Sequence, residues 1–334
     1  MFKIIKQIKV DYDQRYNDYR KIIDERLKQV LVEEEPNSLY EPIKYILLAG
    51  GKRIRPVIVI LSCESLGGNL EDAINPALAV EIFHNFTLVH DDIMDNADIR
   101  RGLQTIHKRW DINTAILSGD AMFAVAYKLL SQTNSKRVGE IFDSFAQSAI
   151  EVCEGQALDL ELETSLKVGI DDYIKMISKK TASLIKNSAK IGALLANGTD
   201  EQIQALENYG FNLGLAFQLM DDLLDVVGDS GEFGKSIGGD IINGKRTFLL
   251  LKAMEKVRGK DKEIIGRVFA KDGLDPSIVA EVREIYFRYG IIDETQKMVR
   301  FYTDIAIKSL ENLPKSDSHS MLVWLANKLC ERRI

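Results

Sequence analysis

Two aspartate triplets of identical form carry the clearest chemical signal in this chain. Both read DDxxD, lie 130 residues apart and together supply six carboxylates, those of Asp91, Asp92, Asp95, Asp221, Asp222 and Asp225. On a helix, residues i and i+4 share a face, so the first and last carboxylates of each triplet project together. Crowded like charges need a cation, and oxygen ligands suit Mg²⁺, which takes a few carboxylates plus water and phosphate. Two such clusters facing one cavity would hold a diphosphate.

Basic residues follow both acidic clusters or stand beside glycine. They occur in GGKRIRP at 50–56, in the Arg100-Arg101 pair, in the Lys179-Lys180-Thr181 segment, and in FGKSIGGD at 233–240 followed by GKRT at 244–247. Arginine binds phosphate through two hydrogen bonds, and glycine loops bring backbone N–H groups and lysines onto it. Separate acidic and basic clusters indicate two phosphate-bearing substrates, one bound through metal and the other bound directly by cations.

The elements that must position these residues are predicted to be helices. No proline occurs between Ala77 and Asp275, and apolar residues recur at i, i+3, i+4 and i+7. The segment RPVIVIL at 55–61 could form a strand by propensity, but no second strand is available to pair with it. We expect one all-α domain over 1–334, with helices at about 3–33, 39–49, 54–66, 72–95, 112–131, 135–163, 171–197, 200–227 and 243–256, and several more between about 262 and 332.

Composition excludes several classes of protein. The net charge of −6 and the lack of a long Lys/Arg block argue against a nucleic-acid partner. Three widely spaced cysteines fit neither a disulfide framework nor a zinc site. No apolar run reaches transmembrane length, and residues 1–20 lack the apolar core of a signal peptide. These features predict a cytoplasmic protein without a membrane span.

Taken together, GGKRIRP, HDDIMDNADIRRG, KKTA, FQLMDDLLD and FGKSIGGDIINGKRT resemble the trans-isoprenyl diphosphate synthases, or polyprenyl synthetases. The motifs occur in the family's order across residues 50–247. The resemblance implies an all-α, mostly antiparallel helical bundle around a deep central cavity, usually homodimeric and dependent on Mg²⁺. It implies transfer of an allylic prenyl group onto isopentenyl diphosphate.

The resemblance also implies roles residue by residue. The six aspartates would hold about three Mg²⁺ ions on the allylic diphosphate, which would also contact Arg100, Lys180, Lys235 and Lys245. Isopentenyl diphosphate would bind Lys52, Arg55, His84 and Arg101. Thr181 and Gln218 would line the reacting centre, so Lys180, Thr181, Gln218 and Lys235 are the expected catalytic residues.

Product length is expected to depend on the helix that carries the first motif. Phe83, Thr87 and Asp91 follow one another at i+4, and Phe86 lies beside them. In the family, the residue five before the first aspartate limits the product, and here that residue is Phe86. A bulky residue there implies a stop near fifteen to twenty carbons. The absence of an insertion within the first motif favours geranylgeranyl diphosphate, with farnesyl diphosphate as the alternative.

Other interpretations stay open. A longer-chain polyprenyl diphosphate synthase would require a smaller residue at position 86. A terpene cyclase ionises the same kind of substrate, but uses one DDxxD and an Asn/Ser/Glu motif. A non-catalytic regulatory subunit would be expected to have lost motif residues, and a purely structural bundle leaves the paired motifs unexplained.

Overall fold

The computed structural model describes residues 11–31, 34–228, 238–271 and 274–330. The helices in these ranges are α1 Tyr12–Val30, α2 Asn37–Leu47, α3 Ile54–Ser65, α4 Leu70–Met94, α5 Ile106–Arg109, α6 Ile112–Ser131, α7 Val138–Thr164, α8 Ile170–Ile177, a π-helical turn Ser178–Ala182, α9 Ser183–Leu195, α10 Asp200–Val227, α11 Gly239–Ile242, α12 Phe248–Lys256, α13 Gly259–Ala270, α14 Ile278–Arg288, α15 Ile291–Ser309 and α16 Asp317–Cys330. The all-α prediction is confirmed.

The ambiguous RPVIVIL segment is helical. It lies in α3, which is buried on nearly every side and packs against α4 and α9. β-branched residues are tolerated here because tertiary burial outweighs their weak helix propensity. Elsewhere, α6 and α10 have the predicted bounds, and α4 differs from its prediction by two residues at most.

Two predictions of helix continuity are wrong. The expected helix 171–197 is interrupted by the π-helical turn, and the expected helix 243–256 begins only at Phe248. Thr247 caps this later start, because its side chain accepts a hydrogen bond from Leu250 N at 3.3 Å. Residues 243–247 therefore form a turn beside the second acidic cluster.

The buried apolar residues form two clusters that share α10. Leu206, Tyr209 and Leu213 belong to the first cluster, which includes α3, α4 and α9. Leu219 and Leu223 belong to the second, which includes α12, α14 and α15. The second aspartate motif is thus carried on a helix that both halves of the core hold in place.

A two-stranded antiparallel hairpin follows the first aspartate motif. Strand β1, Ile99–Arg100, pairs with β2, Leu103–Gln104, and the turn between them has positive φ at Arg101 and Gly102. This hairpin was not predicted from the sequence. It projects Arg100 and Arg101 from a fixed turn rather than from a helix. Within the described ranges, no helix combines the length and apolar content needed to cross a membrane.

Candidate active site

The first aspartate motif occupies the last turn of α4. Asp92 is only 2% exposed and accepts a hydrogen bond from Arg100 Nε at 2.5 Å. Burial raises the pKa of Asp92 to about 6, although Arg100 opposes the shift. Asp95 is the C-terminal cap of α4, and its Oδ2 lies 3.7 Å from Lys245 Nζ. The motif is therefore partly neutralised by two cations, Arg100 from the hairpin that follows it and Lys245 from a distant part of the chain.

Asp222 of the second motif is held on both carboxylate oxygens. Tyr173 OH donates to Oδ2 at 2.7 Å, and Gln218 Nε2 donates to Oδ1 at 2.8 Å. Burial, followed by the charge of Asp240, raises the pKa of Asp222 to about 8. Burial and Asp222 in turn raise the pKa of Tyr173 well above its usual value, which keeps the phenol protonated as a donor.

A cavity of about 350 Å³ lies beside the second motif. Its lining includes all three aspartates of that motif and several predicted site residues, Lys52, Lys180, Thr181, Gln218 and Lys245. Lys245 links this wall to Asp95 of the first motif. Burial raises the pKa of Asp91, and the nearby charge of Lys180, which lines the same cavity, opposes the rise.

Three further lining residues were missed from the sequence. Asp159 accepts from Lys180 Nζ at 2.6 Å, Asp240 N donates to Asp225 Oδ2 at 3.0 Å, and Tyr173 contacts Asp222. Asp159 could have been found, because it shares the buried side of α7 with Val152, Gly155 and Leu162. An acid in an apolar helical stripe is a signal for a functional site.

The π-helical turn delivers Lys180 and Thr181 into the cavity. Thr181 Oγ1 donates to Gln218 Oε1 at 2.7 Å, so the turn is connected to Asp222 through one amide. Gly155 of α7 lies directly against the backbone of Lys180, where an added Cβ would clash. π-turns inside helices occur frequently at functional sites, and this one depends on a close approach that only glycine permits.

A second basic group lies between α3 and α4. Arg55 Nη1 and His84 Nε2 are 3.2 Å apart. Burial, then the charge of Arg55, lowers the pKa of His84 well below its usual value, so the imidazole is neutral at pH 7. Burial also lowers the pKa of Arg55 to about 10. Arg101 is partly buried nearby and lowers both pKa values further.

Aromatic rings extend from α4 below the first motif. The centroid of Phe86 lies 5.4 Å from Phe83 and 5.5 Å from Phe123 of α6. Phe83 packs in turn against Phe145 of α7 at 5.3 Å. The Thr87 hydroxyl donates a hydrogen bond to the backbone carbonyl of His84 at 2.8 Å. Phe86 is therefore one face of an aromatic wall built by three helices.

Lys235 lies outside the described residues. Among those that are described, no three acidic, histidine or cysteine side chains converge as a metal site by themselves. The oxygen-only donors nevertheless suit Mg²⁺, which proteins commonly hold through one or two carboxylates plus substrate phosphate. Burial is the largest cause of the raised pKa values of Asp91, Asp92 and Asp222, and a bound cation would favour their charged forms.

The profile of the Polyprenyl synthetase family matches residues 36–286, which include both aspartate motifs. This chain belongs to the polyprenyl synthetase family. It is 41% identical to the geranylgeranyl pyrophosphate synthase of Geoglobus acetivorans over 94% of this chain and 97% of that protein. It is 36% identical to the geranylfarnesyl diphosphate synthase of Natronomonas pharaonis over 94% and 95% of the two chains.

The fold agrees with that membership. The crystal structure of a geranylgeranyl pyrophosphate synthetase from Pyrococcus horikoshii superimposes with a TM-score of 0.90 at 38% identity, covering 96% of this chain and 98% of the other. The predicted trans-prenyltransferase family and its all-α fold are therefore confirmed.

Proposed function

We propose that this polyprenyl synthetase is a geranylgeranyl diphosphate synthase, which condenses isopentenyl diphosphate with allylic diphosphates. The observation that carries the proposal is the link between the two aspartate motifs, in which Lys245 lines the cavity of the second motif and contacts Asp95 of the first. A diphosphate bound there would meet both motifs at once. The names of the relatives support prenyl elongation as the reaction.

The aspartates divide into two groups. Asp92 and Asp222 are buried and already accept hydrogen bonds from protein donors, so they orient the motifs. Asp91, Asp95, Asp221 and Asp225 are less buried and are the proposed direct ligands of about three Mg²⁺ ions. When bound, Mg²⁺ supplies positive charge that stabilises the departing diphosphate.

The cations of the site have a related role. Lys180 and Lys245 line the cavity and are proposed to bind the allylic diphosphate, together with Arg100 and Lys235. Preorganised cations stabilise the negative charge that develops on a leaving group, and their effect is largest where water is excluded. Thr181 and Gln218 would stay close to the allylic cation that remains.

Isopentenyl diphosphate is proposed to bind Lys52, Arg55, His84 and Arg101. Neutral His84 can accept from one group and donate to another, which suits a bridge between Arg55 and phosphate. The double bond of isopentenyl diphosphate attacks the allylic cation, and a proton then leaves to the released diphosphate. An apolar surround keeps water from quenching the cation.

The growing chain is proposed to end against Phe86. Phe83 and Phe123 support that ring from two helices, which makes the wall difficult to displace. The bulky wall and the name of the Geoglobus relative favour the twenty-carbon product. A homodimer and a cytoplasmic location stay predictions of the sequence.

The direct test is an elongation assay. Purified protein is incubated with Mg²⁺, isopentenyl diphosphate and dimethylallyl, geranyl or farnesyl diphosphate, and the product is sized by chromatography. We expect geranylgeranyl diphosphate, with turnover reduced at least about a hundredfold in Asp221→Ala. Asp143→Ala, at an exposed position of α7, is the control. Failure to elongate any primer would overturn the proposal, as would full activity of Asp221→Ala.

A further inference from the structure

Three consecutive backbone carbonyls of the loop before α3 each accept a hydrogen bond from a side chain. Arg101 Nη1 donates to Gly50 O at 2.5 Å, Arg20 Nη2 donates to Gly51 O at 3.0 Å, and Tyr16 OH donates to Lys52 O. Tyr16 and Arg20 are one turn apart on α1 and so project from the same face. Helix α1 therefore fastens the loop that carries Lys52.

The loop has an unusual backbone conformation that needs such support. Gly50 and Gly51 have φ of 77° and 148°, and Arg53 has φ of 51° although it is not glycine. Left-handed conformations are costly for residues with a side chain. Arg53 is fixed by ion pairs with Asp24 of α1 at 2.8 Å and Glu81 of α4 at 2.6 Å. Helix α1 thus contacts the loop at three successive residues, 51 to 53.

We propose that Tyr16 and Arg20 are positioning residues for the isopentenyl diphosphate site, an inference that rests on the function proposed above. By binding the carbonyls of Gly51 and Lys52, they direct these partial negative charges toward α1 and away from an incoming diphosphate. The Lys52 side chain then reaches the cavity, where it is one of the lining residues. The same hydrogen bonds fix the start of α3 and, with it, Arg55.

Arg101 connects this loop to α4. Its guanidinium packs against Gly51, where a Cβ would lie 3.2 Å from its Cζ, and also donates to Asn85 Oδ1 at 3.3 Å. A shift of the loop would therefore displace Arg101 as well as Lys52. Because Lys180 and Lys245 are on other elements, the allylic diphosphate site should be insensitive to the same shift.

The test separates the two substrates kinetically. Tyr16→Phe keeps the ring that packs on Trp324 at 5.9 Å and removes only the hydroxyl, while Arg20→Gln removes the guanidinium. Each variant should raise KM for isopentenyl diphosphate by about three- to tenfold, the effect of one hydrogen bond. KM for the allylic substrate should stay within about twofold. Calorimetric titration with isopentenyl diphosphate alone should show the same weakening.

Two control variants lie on the same helix. Tyr12 packs on the same Trp324 ring at 6.1 Å, and Arg26 pairs with Glu71 at 3.2 Å, so Tyr12→Phe and Arg26→Gln should leave both KM values unchanged. Arg20→Lys, which can still donate to Gly51 O, should recover part of the lost affinity.

Equal rises in both KM values, or unchanged binding of isopentenyl diphosphate in the two test variants, would overturn the positioning role. A wild-type protein that turns over no isopentenyl diphosphate would instead overturn the proposed function itself.

Discussion

The carboxylate of Asp222 is buried, and hydrogen bonds hold it in a fixed orientation. Its two oxygens accept from Tyr173 and Gln218, and Gln218 accepts in turn from Thr181. Burial raises its pKa to about 8, so the environment resists a full negative charge in the absence of metal. Such a site lowers the stability of the fold in favour of function, because the fold alone compensates this charge poorly and a bound cation would compensate it.

The role proposed for Phe86 depends on volume rather than charge. Its ring is partly buried and is braced by Phe83 and Phe123. Since the aromatic wall is formed by side chains and not by backbone, removing one ring opens space for additional prenyl units.

We therefore expect Phe86→Ala to lengthen the product by at least one isoprene unit while elongation continues. Because Phe86 is only partly buried, the loss in stability should be below the roughly 3–5 kcal/mol typical of a buried Phe→Ala change. Products from the two proteins are compared by chromatography and mass spectrometry. The control is Phe142→Ala, whose ring contacts Tyr127 at 6.2 Å and not Phe86. An unchanged product in Phe86→Ala, or equal lengthening in the control, would show that the limit lies elsewhere.

The π-helical turn between α8 and α9 carries Lys180 and Thr181, two residues proposed for the reacting centre. It widens the helix by one residue, which places Lys180 toward Asp159 and Thr181 toward Gln218. The turn lies against Gly155 of α7 and against Gly214 of α10, where an added Cβ would lie 2.8 Å from the Ala182 side chain. Two glycines on two helices therefore leave room for it.

Gly155→Ala should displace the π-helical turn. An added methyl group would overlap the Lys180 backbone, and a shift of about 1 Å near a reacting centre can lower turnover about a hundredfold. The measurement is kcat, with the melting temperature followed in parallel. Gly139→Ala is the matched control, because Gly139 is exposed on the same helix with nothing within 4 Å of the added Cβ. The control should keep its activity and gain up to about 1 kcal/mol of stability from helix propensity. A normal kcat in Gly155→Ala would show that turnover does not depend on the position of the π-helical turn.

Sequence reasoning succeeded where the controlling interactions are local. Helix α10 begins with a capping box, in which Thr199 and Gln202 bond each other's backbone N–H groups, and α6 begins after Asp111, which accepts from Thr114 N. Such signals can be read directly from neighbouring residues. The aspartate motifs were equally readable, because their spacing alone places carboxylates together on a helix.

The late start of α12 and the hairpin at 99–104 are local features that were overlooked, whereas the other failures involve contacts between distant segments. The π-helical turn owes its position to Gly155 and Gly214, which are remote in sequence from residues 178–182. Asp159 lies in an apolar stripe of α7 that the sequence shows, but its partner Lys180 comes from another helix. Helix α1 was predicted only as a helix at about 3–33, and its hydrogen bonds to the loop at 50–53 require the tertiary fold. Side-chain periodicity contains no information on such pairings.

At the surface of the molecule, one side of α6 exposes apolar side chains to solvent. Ile112, Ile116 and Leu117 project on one side of this helix, and Leu117 is 60% exposed. Neighbouring turns of the same helix bury Met122 and Ala126 and place Phe123 against Phe86. An exposed apolar stripe on the helix that braces the aromatic wall fits the predicted homodimer, in which a second copy would cover it.

We expect Leu117→Glu to convert a dimer into a monomer, because a carboxylate cannot be buried in an apolar contact without a partner. Light scattering after size-exclusion chromatography should give the wild type twice the chain mass of 37.7 kDa and the variant that mass alone. Phe301→Glu is the control, since Phe301 is 53% exposed but lies on α15, and it should stay dimeric. A monomeric wild type would contradict the predicted homodimer. A Leu117→Glu protein that stays dimeric would show that the two copies meet through another surface, and would leave the α6 stripe without this role.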